Sequence, residues 1–160
     1  MSKKKNGFTL IELMIVIAIM SILTTIAIPS FQDRVIRSQV QEALNLSEIA
    51  KKGIEDYYTA KKSLPENNEA AGLPASDKII GNFVTGVSIR SGAIDVYLGN
   101  KINKHADQKI VTIRPAIVKG EPMVPIAWIP GYASVPEGMS VVGENRSDIL
   151  PRLLPIICRY

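Results

Sequence analysis

Glu12 is the one ionisable side chain in the apolar stretch Phe8–Ile28, and the chemistry open to this chain starts there. An ionised acid at bilayer depth costs about 2.5–3.5 kcal/mol and calls for a partner. The stretch itself holds no Lys or Arg. A cation becomes available if the chain is cut between Gly7 and Phe8, because the new α-amino group of Phe8 has a reference pKa near ~7.7–8.0 and is largely charged at neutral pH. Within one chain that amine lies about one helical turn from Glu12 on the same helix. A neighbouring chain presents its amine more directly. The acid then registers one subunit against another in an apolar assembly, as a buried polar residue registers a coiled coil.

The remaining reactive residues do not combine into a site. His105 is the sole histidine and sits in the polar turn Asn100–Asp107 with Lys101 and Lys104. Zinc needs four ligands, or three and a water, so a solvated loop histidine is the simpler assignment. Asp77, Asp95 and Asp107 are scattered acids, expected at the surface, and no loop gathers the oxygens that Ca²⁺ requires. Cys158 is the only cysteine, which permits no intramolecular disulfide. Three roles are open to it: a small buried hydrophobe, a free thiol or intermolecular bridge in an oxidising compartment, or a nucleophile, for which no base is suitably spaced. There is no phosphate loop or nucleophile elbow. No enzyme activity, metal or cofactor is therefore expected.

The elements that must carry Glu12 follow from hydropathy. Of the 160 residues, 46% are hydrophobic and 21% charged, an ordinary composition with room for one modest domain beside an apolar segment. Phe8–Ile28 is polar only at Thr9, Glu12, Ser21, Thr24 and Thr25. A helix of that length reaches about 31 Å, which matches a hydrocarbon core of ~30 Å. Lys3, Lys4 and Lys5 precede it and predict a cytoplasmic start. A secretory signal would have a shorter apolar region and a small-residue cleavage site, for which Ala27-Ile28-Pro29-Ser30 is a poor fit. A plain one-span signal anchor would explain all of this except Glu12. The net charge of +4 falls to +1 without the three leader lysines (4 − 3 = 1), so the basic balance gives no reason to expect nucleic acid as more than a weak partner. A local patch at Lys101, Lys104 and Lys109 is the one place where it would bind.

Pro29 removes a backbone donor and is expected to kink the helix. Beyond it, Ile36, Val40, Ala43, Ala50, Ile54 and Tyr57 recur at three- and four-residue spacing among charged residues, which predicts an amphipathic helix to about Ala60. Residues 61–84 contain Pro65, Asn67, Asn68, Gly72 and Pro74 and form an irregular connector. Strands are predicted at Thr85–Arg90, Ile94–Leu98, Ile110–Val118 and Val124–Ile129, with turns at Gly92 and Gly99–Asp107. The fold class is α+β: a long N-terminal helix, half transmembrane and half amphipathic, packed on a four-stranded antiparallel sheet.

Gly7-Phe8-Thr9-Leu10-Ile11-Glu12 resembles the processing site of type IV prepilins, of the type IVa class. The resemblance implies that residues 1–7 are a leader removed after Gly7 by a prepilin peptidase, that Phe8 becomes the N-methylated first residue, and that Glu12 with Phe8 docks the subunit. Residues 8–28 would be the transmembrane and filament-core helix, 29–60 its amphipathic half, 61–84 the connector, and 85–160 the sheet head with a C-terminal loop. Gly81–Val84 and Gly92–Val96 resemble the first two strands of that family. Leu154-Pro155-Ile156-Ile157-Cys158-Arg159 is similar to its C-terminal ending, where the cysteine commonly bonds to one in a Trp-x-Cys-Gly pattern. Here that stretch is Trp128-Ile129-Pro130-Gly131, with proline in the cysteine's place. Loss of such a bridge forgoes roughly 3 kcal/mol on the chain-entropy account. Pro122, Pro125, Pro130, Pro136, Pro151 and Pro155 stiffen the same region.

The expected role is a structural subunit that self-assembles into a helical homopolymer. Its contacts would not close, so they would build a fibre. Attachment, twitching motility, biofilm formation and DNA uptake are what the family implies. The precursor would sit in the inner membrane, meet the prepilin peptidase/N-methyltransferase and the pilus assembly platform, and end as an extracellular fimbrium on a bacterial cell. The alternatives are a minor pilin, a type II secretion pseudopilin, which generally lacks the Leu-Pro…Cys-Arg ending, and a membrane-anchored binding domain that never polymerises. The last would need neither Glu12 nor a cut at Gly7. Nine aromatics (three Phe, five Tyr, one Trp), with Phe31 and Arg34 at places where relatives carry tyrosine, give little support for electron conduction.

Overall fold

The computed structural model describes residues 7–159, with the side chains of 26–30 outside the described set. The chain divides into two compact units between Arg34 and Val35. Helix α1 runs over Leu10–Leu46, and its assignment continues through position 29.

In the first unit the helix begins at Leu10 because Thr9 and Glu12 cap it (below). Its polar residues are absorbed by its own backbone. The hydroxyls of Ser21, Thr24 and Thr25 donate to the carbonyls of Ile17, Met20 and Ser21 at 2.7, 2.7 and 2.9 Å. A hydroxyl turned onto the preceding turn leaves no unsatisfied polar atom on an apolar cylinder. Among the described residues no helix is long and apolar enough to cross a membrane. The expected span ended at Ile28, and residues 26–28 belong to the stretch whose side chains are not described. Leader residues 1–6 likewise lie outside the described residues.

The second unit contains the rest of α1, helix α2 (Glu48–Lys61) and an antiparallel sheet. The expected single amphipathic helix to Ala60 is two helices. Ser47 is wholly buried, its hydroxyl donates to Leu44 O, and its N–H bonds three rather than four residues back, also to Leu44 O. This local tightening interrupts the ladder. Ile36, Val40, Ala43 and Leu44 of α1 and Ala50, Ile54 and Tyr58 of α2 make the buried faces. Tyr58 takes the inward place expected of Tyr57, because four-residue steps from Ala50 land on 54 and 58. Gly53 marks a close approach: a Cβ there would stand 2.9 Å from Ala71 O in the connector.

The sheet has strands β1 (Val84–Arg90), β2 (Ala93–Leu98), β3 (Ile110–Ile117) and β4 (Ala127–Pro130) in sequential order. The predicted four-stranded antiparallel arrangement is therefore present, with a two-residue β5 (Ser140–Val141) added on β3. Ser91 and Gly92, both with positive φ (49° and 84°), close the β1–β2 hairpin in two residues, the turn whose twist suits flanking strands. Val87, Ile89, Ile94, Val96, Val111 and Ile113 meet the helices in one core. The connector is tied to the edge strand by Asn68. Its amide donates to Val87 O and Pro74 O at 2.9 Å and accepts from Ile89 N at 2.6 Å. Asn68 thereby serves as a strand partner where β1 would be open.

Asp95 overturns its surface assignment. It is 1% exposed, accepts from the Thr112 hydroxyl at 2.7 Å and pairs with Arg90 at 3.2 Å. Thr112 also accepts from Arg146 N at 3.0 Å, and Arg90 donates to Glu144 O at 3.1 Å, so the acid anchors the C-terminal loop to the outer face of the sheet. Burial is tolerated because every partner is present.

Candidate functional site

Gly7, Phe8 and Thr9 precede α1 and belong to no regular element. Phe8 is 88% exposed. A Cβ added at Gly7 would meet nothing within 4 Å among the described residues. Thr9 is the N-cap of α1, and Glu12 is its third helical residue. The Thr9 hydroxyl and N–H donate to Glu12 Oε2 at 2.6 and 2.8 Å, and Glu12 N–H points back at the Thr9 hydroxyl at 3.4 Å. This is a reciprocal capping box. Glu12 also lies in the first turn, where the aligned peptide dipoles favour an anion.

Two consequences follow for the acid. Its Oε2 is occupied within its own chain, while Oε1 accepts no hydrogen bond among the described residues. A carboxylate has lone pairs for a further donor. Around it Leu10, Ile11, Leu13, Met14 and Ile15 are all more than half exposed. A helix apolar on every side requires cover from lipid or other chains. Among the described residues the first unit thus presents an exposed segment ahead of α1, an acid with one oxygen that accepts no hydrogen bond, and an uncovered apolar helix. Thr9 is the member that the sequence reading passed over, although Thr-x-x-Glu ahead of an apolar run is a legible capping signal.

The other expected site residues lie apart from this group in the chain. Position 29 is within α1, and its side chain is outside the described residues. Cys158 is buried against Gly131: a Cβ at 131 would come within 3.3 Å of the Cys158 Cβ, and Tyr132 N donates to Cys158 O at 2.8 Å. The C-terminal segment therefore returns to the Trp128–Gly131 strand end without a bridge. Burial pushes the Cys158 thiol up to about 11, against the weaker opposing pull of Lys51 and Arg159, so it is protonated at neutral pH. His105 is exposed, and among the described residues no group of acids, His and Cys could hold a metal.

Residues 2–28 match the prokaryotic N-terminal methylation motif, and residues 36–159 match the family described as pilin (bacterial filament). The chain belongs to the pilin family.

Individual relatives agree along nearly the whole length. A fimbrial protein of Neisseria meningitidis serogroup B is 41% identical over 168 residues, 99% of this chain and 96% of that protein. The type IV major pilin protein PilE1 of Neisseria gonorrhoeae is 34% identical over 166 residues, covering 99% and 89%. A type IV major alpha-pilin of Moraxella bovis is 32% identical over 123 residues, covering 68% and 77%. A pilin is a structural subunit of a bacterial surface filament.

Proposed function

We propose that this pilin is made as an inner-membrane precursor, cut after Gly7 by a prepilin peptidase, N-methylated at Phe8 and assembled by the pilus platform into an extracellular type IV fimbrium. The observation that carries the proposal is the first unit itself. Phe8 and Leu10 are 88% and 78% exposed beside a carboxylate with one unoccupied oxygen. Lipid covers the helix before assembly, and neighbouring helices cover it afterwards. Glu12 Oε1 receives the Phe8 ammonium of another subunit, so the apolar helices stack in one register rather than sliding. Pro29 opens the ladder beyond the filament core and gives the fibre compliance. Adhesion and twitching motility are the cellular roles, with DNA uptake secondary.

Shearing the cell surface and sequencing the main fibre subunit from its N-terminus tests this. Methyl-phenylalanine followed by Thr-Leu-Ile-Glu is expected. A fibre that begins at Met1, or one built from a different main subunit, overturns it. One observation supports a second reading as a minor pilin: Pro130 stands where the terminal-loop cysteine is expected, and that reading is the outcome if this chain appears in trace amounts within fibres of another subunit.

A further inference from the structure

The C-terminal segment carries an arrangement that neither the core nor the helix explains. The 3₁₀ turn Ile156–Cys158 has three residues to a turn: Cys158 points inward and is fully buried, while Ile156 and Ile157 are 82% and 65% exposed. Two arginines, Arg37 and Arg159, hold the carbonyls of residues 152 and 154, and a third, Arg152, is exposed in the preceding turn. Arg37 Nε donates to Arg152 O at 2.9 Å, and Arg159 donates to Arg152 O at 3.0 Å and to Leu154 O at 2.7 Å. None of the three forms an ion pair among the described residues. No acid occurs from residue 149 to 160 or from 34 to 41. Among the described residues the patch is therefore cationic and apolar, with no ion pair to its arginines.

We infer that this patch rests on the anionic lipid surface while the subunit is still in the membrane. Isoleucines flanked by arginines match the boundary between acyl chains and phosphate headgroups, with the apolar groups entering and the guanidinium groups pairing with phosphate. A second copy of the chain would have to supply apolar and acidic groups together. A lipid leaflet supplies both everywhere. The sequence allows the reach: Arg37 follows Ile28, the end of the expected span, by nine residues, which is at most roughly 32 Å of extended chain. The effect is to hold the head down until assembly, when the helix leaves the bilayer and the patch is released. This rests on the membrane-resident precursor proposed above.

The full chain reconstituted in nanodiscs of phosphatidylglycerol and phosphatidylcholine containing a photoactivatable phosphatidylglycerol tests it. Lipid adducts mapped by mass spectrometry are expected at Ile156 and Ile157 as well as along Phe8–Ile28. Arg152→Glu, whose side chain makes no hydrogen bond to lose, and Ile157→Ser should each leave the fold intact and lower the tail adducts. Reversing one charge should lower them at least about fivefold, as should high salt. Adducts confined to Phe8–Ile28, or tail labelling indifferent to Arg152→Glu and to salt, would overturn the inference. So would tail protection that arises only between copies in fibres. If the chain fails to insert at all and remains extractable by alkali, the precursor proposal fails instead, and the two failures are separate readouts.

Discussion

The Thr9 hydroxyl donates to Glu12 Oε2 at 2.6 Å while the Thr9 N–H reaches the same oxygen at 2.8 Å. One oxygen of the acid is thus committed to starting the helix, and the other is left for a partner. The same carboxylate joins the segment proposed to be cut to the helix proposed to assemble. A change at Glu12 must therefore be read on both processing and assembly.

Glu12→Ala should leave cleavage and methylation intact, because the cut bond lies outside α1, and should strongly reduce fibre yield. Intact mass of the subunit together with the quantity of sheared fibre checks this. Wild-type fibre yield from Glu12→Ala cells would show that Oε1 has no partner.

Gly7→Ala should block leader removal. The added Cβ meets nothing within 4 Å in this chain, so a block comes from the peptidase's own pocket and not from misfolding. The check is the mass of the membrane-bound protein, which should retain residues 1–7 with the head still folded. Normal maturation would defeat the assignment of the cut.

Asp95→Ala should destabilise the second unit by about 1–3 kcal/mol, because it leaves the buried Thr112 hydroxyl without its acceptor and removes the ion pair to the partly exposed Arg90. Denaturant melting would measure it. A loss under about 1 kcal/mol would mean that the loop 144–147 is held by other bonds.

Pro130→Cys should form a disulfide with Cys158, given that the neighbouring Gly131 already lies against the Cys158 main chain. Closing that 28-residue loop should add roughly 3–4 kcal/mol on the entropic account. Thiol titration before and after reduction, with a melt in each state, decides it. Two free thiols in the oxidised protein would rule the geometry out.

Cys158 should also give a pH signature. Its folded pKa of about 11 lies above the ordinary thiol value of ~8.5, so the folded state keeps a proton that the unfolded chain loses. Stability from this group is complete below about pH 8.5 and declines as pH rises towards 11. Cys158→Ala should flatten that decline, and alkylation of the native thiol at neutral pH should be far slower than in denaturant.

Much of this was legible in the residues because it is local. The apolar run, Glu12 within it, the glycine before Phe8, the amphipathic period and four short β runs each depend on neighbours a few positions away, and hydropathy and turn chemistry report those directly. The capping box is equally local, since Thr9 and Glu12 stand three positions apart. What the tertiary structure alone decided is non-local. Asp95 looks like any strand acid until Thr112, Arg90 and residues 144–147 close over it. Ser47 looks like a helix residue until packing draws its hydroxyl onto Leu44. Asn68 looks like a loop residue until the connector crosses β1. Ile156 and Ile157 look like core beside Leu153 and Leu154 until the 3₁₀ turn places Cys158 inside and leaves them outside. The physical reason is the same throughout: periodicity specifies which face of an element is apolar, whereas the fate of a polar group depends on distant partners that the fold brings within hydrogen-bond reach.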